Sequence, residues 1–287
     1  MMGGMMGMGG GAGAPPPSGG VATRAPDPQK VKEVIGSIMI PVYARVGIGH
    51  TIEAAVMGSC HVDGLDEHEL LTKASDDSLD YLEMAIPTMS CVEAPTSTPG
   101  FGGPGGGPGF GGPMVRPNFG APGVRPGFGG PGAPAKPPST TPILDVALKK
   151  IAGGVAILRT KAAGTEDTVD ITNLTGFMER LDKEYEVVDK LSKEEREEHV
   201  KDKGYDVDLL SKVAKDKRLP VPLFAYGGIL HPLDVAMVMR LGYNGVIVSK
   251  NVFTANNPEK RVRSLVLATI HYKNAKFLAG ITEDHGS

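Results

Sequence analysis

The chain has 287 residues, enough for one large domain or two small ones, and its net charge of −3 removes nucleic acid as an electrostatically driven partner. Its two cysteines, Cys60 and Cys91, form no C-x-x-C, so neither a disulfide framework nor a cysteine zinc site is expected, and a reducing, cytoplasmic compartment fits. No run of about 18 apolar residues occurs, so no membrane-spanning segment is expected.

Residues 1–20, MMGGMMGMGGGAGAPPPSGG, carry no basic region and no leucine-rich stretch, and they read as a disordered tail rather than a secretory signal. Asp27-Pro28 followed by QKVKEVIG supplies an N-cap, a proline at the first helical position and a closing Gly36, which predicts a short helix. IMIPVYA then predicts a buried strand. After His50, the spacing of Ile52, Ala55 and Val56 predicts one apolar helical face. CHVDGLDEHELL reads as a short strand ending in acids, and IPTMSCV as another strand.

Residues 95–137 break this pattern with a repeat. PGFGGPGGG, PGFGGPMVR, PNFGAPGVR and PGFGGPGAP begin at Pro99, Pro108, Pro117 and Pro126, so Phe101, Phe110, Phe119 and Phe128 recur every nine residues. Calcium-binding nonapeptide repeats need aspartates, and the segment has none. Proline removes ladder donors and glycine raises the entropy cost of ordering, so a disordered insert is expected. It reads either as an expanded loop or as an interaction tether built on its phenylalanines with Arg116 and Arg125.

Beyond the insert the folded pattern resumes. DVALKKIAGG predicts a helix, VAILRTK a strand, and 168–217 a long charged helical region in which Ser192-Lys-Glu-Glu195 is a capping box. VPLFAYGG is a strand, HPLDVAMVMRLG a helix closed by Gly242, GVIVSK a strand, and about 257–279 a final helix. The alternation implies parallel strands with helical crossovers. Six strands end in polar or glycine-rich groups: Arg45, Asp66, Cys91, Lys161, Gly227–Gly228 and Ser249–Lys250. That is how an α/β barrel of the (β/α)8, TIM type presents its active face. The expected fold is such a barrel over 21–94 and 138–287, lacking its first two strands and left with two unpaired sheet edges. A doubly wound open sheet is the rival, but no G-x-G-x-x-G opens a helix.

GGVATRAPDP, PVYARVGIGHTIEA, VDGLDEHELLT, ILRTK and FAYGGI, with the late helix, resemble the synthase (lyase) subunit of glutamine-dependent pyridoxal 5′-phosphate synthase. The resemblance covers about 19–94 and 138–287. It implies a barrel that assembles into hexamers and dodecamers. It also implies condensation of a pentose phosphate, a triose phosphate and ammonia, the ammonia coming from a glutaminase subunit. Pyridoxal 5′-phosphate is then the product, and no cofactor is expected. Such chemistry needs an uncharged lysine to capture the pentose as a Schiff base, a second lysine, carboxylates to move protons, and glycine-rich amides for phosphates.

Carried over by motif, the first lysine falls on Arg45, whose guanidinium stays protonated and cannot form the imine. Arg45 then serves either in an ion pair with Asp66 or Glu69 or in holding an anion. Lys161 matches the second lysine, and Asp66 with Glu69 match the acidic pair. The glycine-rich phosphate loop falls on AAGTEDT, where Gly164 survives but Glu166 and Asp167 add negative charge. Gly227 and Gly228 match the later paired glycines, Ser249–Lys250 stand where Gly-Ser is expected, and an expected arginine falls on Glu179 beside Arg180. An essential aspartate of the first strand has no counterpart before Asp27. His61, Asp63 and His68 look superficially like metal ligands, but no motif supplies a distant third histidine, and no metal is expected. Three readings follow. One is a catalytically impaired subunit acting through assembly with complete synthase subunits. The second is an active subunit working through Lys161 on sugar phosphates, and the third is a decayed paralogue.

Overall fold

The computed structural model describes residues 24–75, 77–92, 141–161, 171–227 and 229–283. The glycine- and methionine-rich tail and the nonapeptide repeat, read from sequence as disordered, lie outside the described residues, as do Gly164 and Gly228.

Six short apolar stretches become strands: β1 Tyr43–Gly47, β2 Gly64–His68, β3 Thr88–Val92, β4 Ile157–Thr160, β5 Leu223–Tyr226 and β6 Gly245–Ile247. They form one parallel sheet in the order β1-β2-β3-β4-β5-β6. A doubly wound sheet reverses direction at a switch point, whereas a barrel adds each strand beside the last. The strand order is therefore that of the (β/α) barrel type. Among the described residues, β1 and β6 each pair with a single neighbour.

Alternation in the strands sends Ala44, Val46, Leu65, Leu158 and Ala225 into an apolar layer with the helices. Helix α1, Pro28–Ser37, starts as expected: the Asp27 carboxylate accepts from the Gln29 amide at 2.8 Å. Gly36 does not close it; the helix runs on through Ser37. The IMIPVYA stretch divides. Its strand begins only at Tyr43, and Met39 and Ile40 are exposed at 102% and 71%. Pro41 has no amide to lend a ladder, so pairing starts after it. In α2, Thr51–Ser59, the buried residues are Ala54 and Met57, while Ile52, Ala55 and Val56 face outward. The helix is apolar on several sides, so spacing alone did not select the inner face.

Helix α3, Ile143–Ala152, follows Pro142, which offers no side-chain cap. The Glu184 carboxylate takes that role, accepting from the Ile143 and Leu144 amides at 3.1 and 2.6 Å. Glu184 lies on α4, Ile171–Asp189, so the cap also fastens α3 to its neighbour. The charged region resolves into α4, α5 Lys193–Val200 and α6 Val207–Asp216, with the capping box of Ser192 and Glu195 starting α5. Helix α7, Pro232–Arg240, ends near Gly242, whose φ of +103° suits glycine. A 3-10 turn, Lys250–Val252, follows β6. The expected single final helix is two: α8, Pro258–His271, and α9, Ala275–Glu283. Asn274 separates them, its side chain accepting from the Phe277 amide at 3.1 Å.

Two glycines are fixed by close approach. A Cβ on Gly47 would stand 2.2 Å from the Thr72 carbonyl oxygen, and one on Gly64 would stand 2.2 Å from the Tyr43 ring. The first obstacle is backbone and the second a side chain that can swing. Gly47→Ala should cost about 2–3 kcal/mol of stability, and Gly64→Ala clearly less, in chemical denaturation of the two variants.

A charged cluster at the carboxyl ends of the strands

Strand β2 reads Gly-Leu-Asp-Glu-His, and its alternation separates two polar networks. Asp66 and His68 join one network; Glu67 joins the other.

Arg159 centres the first. It sits in β4, fully buried, with β3 between it and β2. Its Nε donates to Asp66 Oδ1 at 2.8 Å, and its two Nη atoms donate to Glu69 at 3.2 and 2.8 Å. Nη2 also donates to the Glu67 carbonyl at 3.2 Å, and the guanidinium stands 5.4 Å from the centre of the Tyr226 ring. Burial alone would raise the Glu69 carboxyl; the adjacent guanidinium outweighs it and holds Glu69 down at about 2. The same carboxylates outweigh the desolvation of Arg159 and keep it cationic.

Arg45 of β1 stands in register with Asp66. Its Nε lies 3.7 Å from Asp66 Oδ2, and its Nη2 donates to the Tyr226 hydroxyl at 3.1 Å. Of the two acids expected as ion-pair partners of Arg45, Asp66 lies within reach, and it offers one oxygen to each guanidinium. His68 is fully buried, and its Nδ1 accepts from the Leu70 amide at 3.2 Å. Burial, then the charge of Arg159, holds the imidazole below its ordinary value, so it is neutral with its proton on Nε2. That Nε2 finds no hydrogen-bond partner among the described residues, and the ring meets Tyr226 edge-on at 6.0 Å.

Lys161 follows β4 directly and is half-buried. Its approach is fixed by Thr160, whose hydroxyl accepts from the Tyr226 amide at 2.8 Å and donates to the Tyr226 carbonyl at 3.1 Å. Gly227 follows β5 with open space where a Cβ would stand. Ser249 is buried, and its hydroxyl accepts from the Asn251 amide at 3.4 Å; Lys250 is exposed on the 3-10 turn. Of the metal-like residues, Asp63 accepts from the Val42 amide at 2.8 Å and His61 is exposed, so neither joins His68. Glu179 is exposed on α4 and Arg180 half-buried beside it.

Glu67 organises the second network. Its carboxylate accepts from the Leu79 and Gly49 amides at 2.8 and 3.1 Å, the Tyr81 hydroxyl at 2.6 Å and the Ser90 hydroxyl at 2.9 Å. Lys150 of α3 stands 3.9 Å away and donates to Ser90 Oγ at 2.6 Å. Burial pushes the Glu67 carboxyl up, but these donors together hold it below its ordinary value. One side chain thereby ties the turn after β1 and the loop after β2 to the sheet.

Sequence reasoning missed Arg159, Tyr226 and the position of Glu67. The signal for Arg159 was present: an arginine within an otherwise apolar strand run must be paired once buried.

A parallel sheet in barrel order, with an arginine–carboxylate cluster at its carboxyl ends, defines an α/β barrel-type protein whose polar site lies where such barrels carry theirs. The chain belongs to the SOR/SNZ family, whose sequence pattern matches residues 17–91 and 141–226. Curated relatives include the pyridoxal 5′-phosphate synthase subunit SNZERR of Suberites domuncula, 33% identical over 93% of this chain and 71% of that protein. The pyridoxal 5′-phosphate synthase subunits PdxS of Dictyoglomus turgidum and Thermus thermophilus are 35% and 32% identical, each over 93% of this chain and 74% of the relative. Among solved structures, a thiamine phosphate pyrophosphorylase from Pyrococcus furiosus aligns with a TM-score of 0.40 at 11% identity, over 86% of this chain and 79% of that one.

Two outcomes test the cluster. Arg159→Leu strands two buried carboxylates and should cost about 3–5 kcal/mol in denaturant titration. Glu69 has a folded pKa of about 2 against an ordinary 4.5, so its contribution is complete above pH 4.5 and is lost as pH falls toward 2. That contribution is roughly 3 kcal/mol, and Glu69→Gln should flatten the acid limb of a stability–pH curve accordingly.

Proposed function

We propose that this chain is a synthase-type subunit of pyridoxal 5′-phosphate biosynthesis that no longer performs the covalent step and acts by assembling with complete synthase subunits. The observation that carries the reading is Arg45, held between Asp66 Oδ2 at 3.7 Å and the Tyr226 hydroxyl at 3.1 Å. The family resemblance requires a primary amine there, able to become neutral and attack a sugar carbonyl. A guanidinium stays protonated at any working pH and cannot form that bond.

The acids support the same reading. A carboxylate that shuttles protons works best with a pKa near the operating pH. Glu69, at about 2, stays ionised and bound to Arg159, and Asp66 is divided between two arginines. Sugar phosphates would meet a cluster whose cations are already answered by anions. Assembly is supported by two sheet edges with one strand partner each among the described residues, and by exposed Ile38, Met39 and Ile40 beside one of them. Those edges offer backbone donors and acceptors to a complementary surface. A complete subunit would bring the reactive lysines and the dealings with the glutaminase.

A second reading, an active subunit using Lys161 alone, rests on that lysine following β4 beside the arginine cluster. The two separate experimentally. The purified chain treated with ribose 5-phosphate and borohydride should give no mass-shifted peptide containing Lys161. Co-expressed with a complete synthase subunit, it should appear in mixed oligomers by native mass spectrometry. An adduct on Lys161, or a chain that stays apart from the complete subunit, would overturn the reading.

A further inference from the structure

We propose that a cleft at the amino-terminal end of the sheet binds a small organic anion with an apolar body. The cleft lies between α4, α6 and the residues leading into β5, and its volume is about 620 Å³. Leu223, the first residue of β5, borders it, so it lies at the opposite end of that strand from Tyr226 and the arginine cluster. The volume is that of a site for a small molecule.

Tyr185 presents an open donor to the cleft. The residue is 2% exposed and lines the cleft, yet its hydroxyl makes no hydrogen bond to a described residue. Burial, then Asp182 and Glu184, push its pKa up, so it remains an O–H donor at any working pH. The ring is enclosed but the hydroxyl is not among the enclosed, unanswered polar atoms of the described residues, so it opens onto the cleft and donates to whatever fills it, water or ligand.

The rim supplies charge. Lys212 and Arg218 border the cleft, are exposed, and make no ion pair with a described residue. Lys217 lies between them in sequence and also lines the cleft, in a left-handed conformation with φ 46° and ψ 39° that non-glycine residues rarely adopt. Its Nζ is 3.7 Å from Asp189. Asp182 and Asp216 also line the cleft, so the excess of positive charge is modest and sits with Lys212 and Arg218. Leu181 and Leu219 give the walls an apolar surface. A bare anion would leave that surface wet, whereas an anion on an apolar ring would cover it and reach both the hydroxyl and the rim.

Phenyl phosphate is the probe, titrated calorimetrically into the full chain. Saturable one-site binding is expected, with inorganic phosphate weaker by about tenfold or more. Tyr185→Phe removes only the donor and should weaken binding about fivefold, the worth of one hydrogen bond. Lys212→Glu with Arg218→Glu should weaken it by about tenfold or more, and both side chains are exposed, so the fold should persist. Lys73→Ala, exposed in the loop after β2 at the opposite end of the sheet, should leave binding unchanged. Absent binding, equal binding of inorganic phosphate, affinity that survives both cleft variants, or affinity lost in Lys73→Ala would each overturn the proposal.

Discussion

Arg159 is the constraint on which the upper end of the sheet depends. A guanidinium with no solvent contact is tolerable only if its donors are answered, because stripping water from a charge costs several kcal/mol. Here Asp66, Glu69 and two main-chain carbonyls answer it, and the Tyr226 ring lies near its face. The bonds run from β4 to β2 and its following turn, spanning β3. The ends of β2 and β4 are thereby held at a fixed separation, across the intervening β3, by one side chain. Such a cluster need not stabilise the fold in net terms, since its desolvation offsets much of its attraction. What it does is remove freedom from the acids: neither Asp66 nor Glu69 can leave the arginine without uncovering a buried charge.

Strand β2 shows how few residues this takes. Asp66, Glu67 and His68 are consecutive, and the pleat turns the middle one to the other face. Glu67 gathers Gly49, Leu79, Tyr81 and Ser90 on the helix side, while Asp66 serves the arginines. The run of three titratable residues is therefore two separate devices. A slip of one residue would exchange them, putting a carboxylate among apolar side chains and the anchor among arginines.

The same period of two explains what could be read beforehand. Strand positions, their parallel order and an acidic partner for Arg45, either Asp66 or Glu69, follow from apolar alternation and from acids placed one strand away. Helix starts at Asp27 and Ser192 were legible because capping is local chemistry. Facts that depend on distant partners were not. Glu184 caps α3 from another helix, and the choice of Ala54 and Met57 over Ile52 and Val56 was made by what α2 packs against. The break between α8 and α9 was legible in principle, since Asn274 is a good cap, but no glycine or proline marks it. In the site, the residue type identifies Lys161, and burial identifies Arg159.

Tyr226 makes the cluster a single unit. Its hydroxyl accepts from Arg45, its ring faces Arg159 and meets the edge of His68, and its backbone is clasped by Thr160. Residues of β1, β2, β4 and β5 thus meet at one ring. An arginine at position 45 suits this arrangement in a way an amine would not. The flat guanidinium reaches the hydroxyl with one nitrogen while another faces Asp66, whereas an ammonium is a compact point charge. On the reading proposed above, loss of the reactive amine is then no simple deletion. The guanidinium has been built into the support of the strand ends, so the group that precludes imine formation is also one that helps hold the sheet in shape.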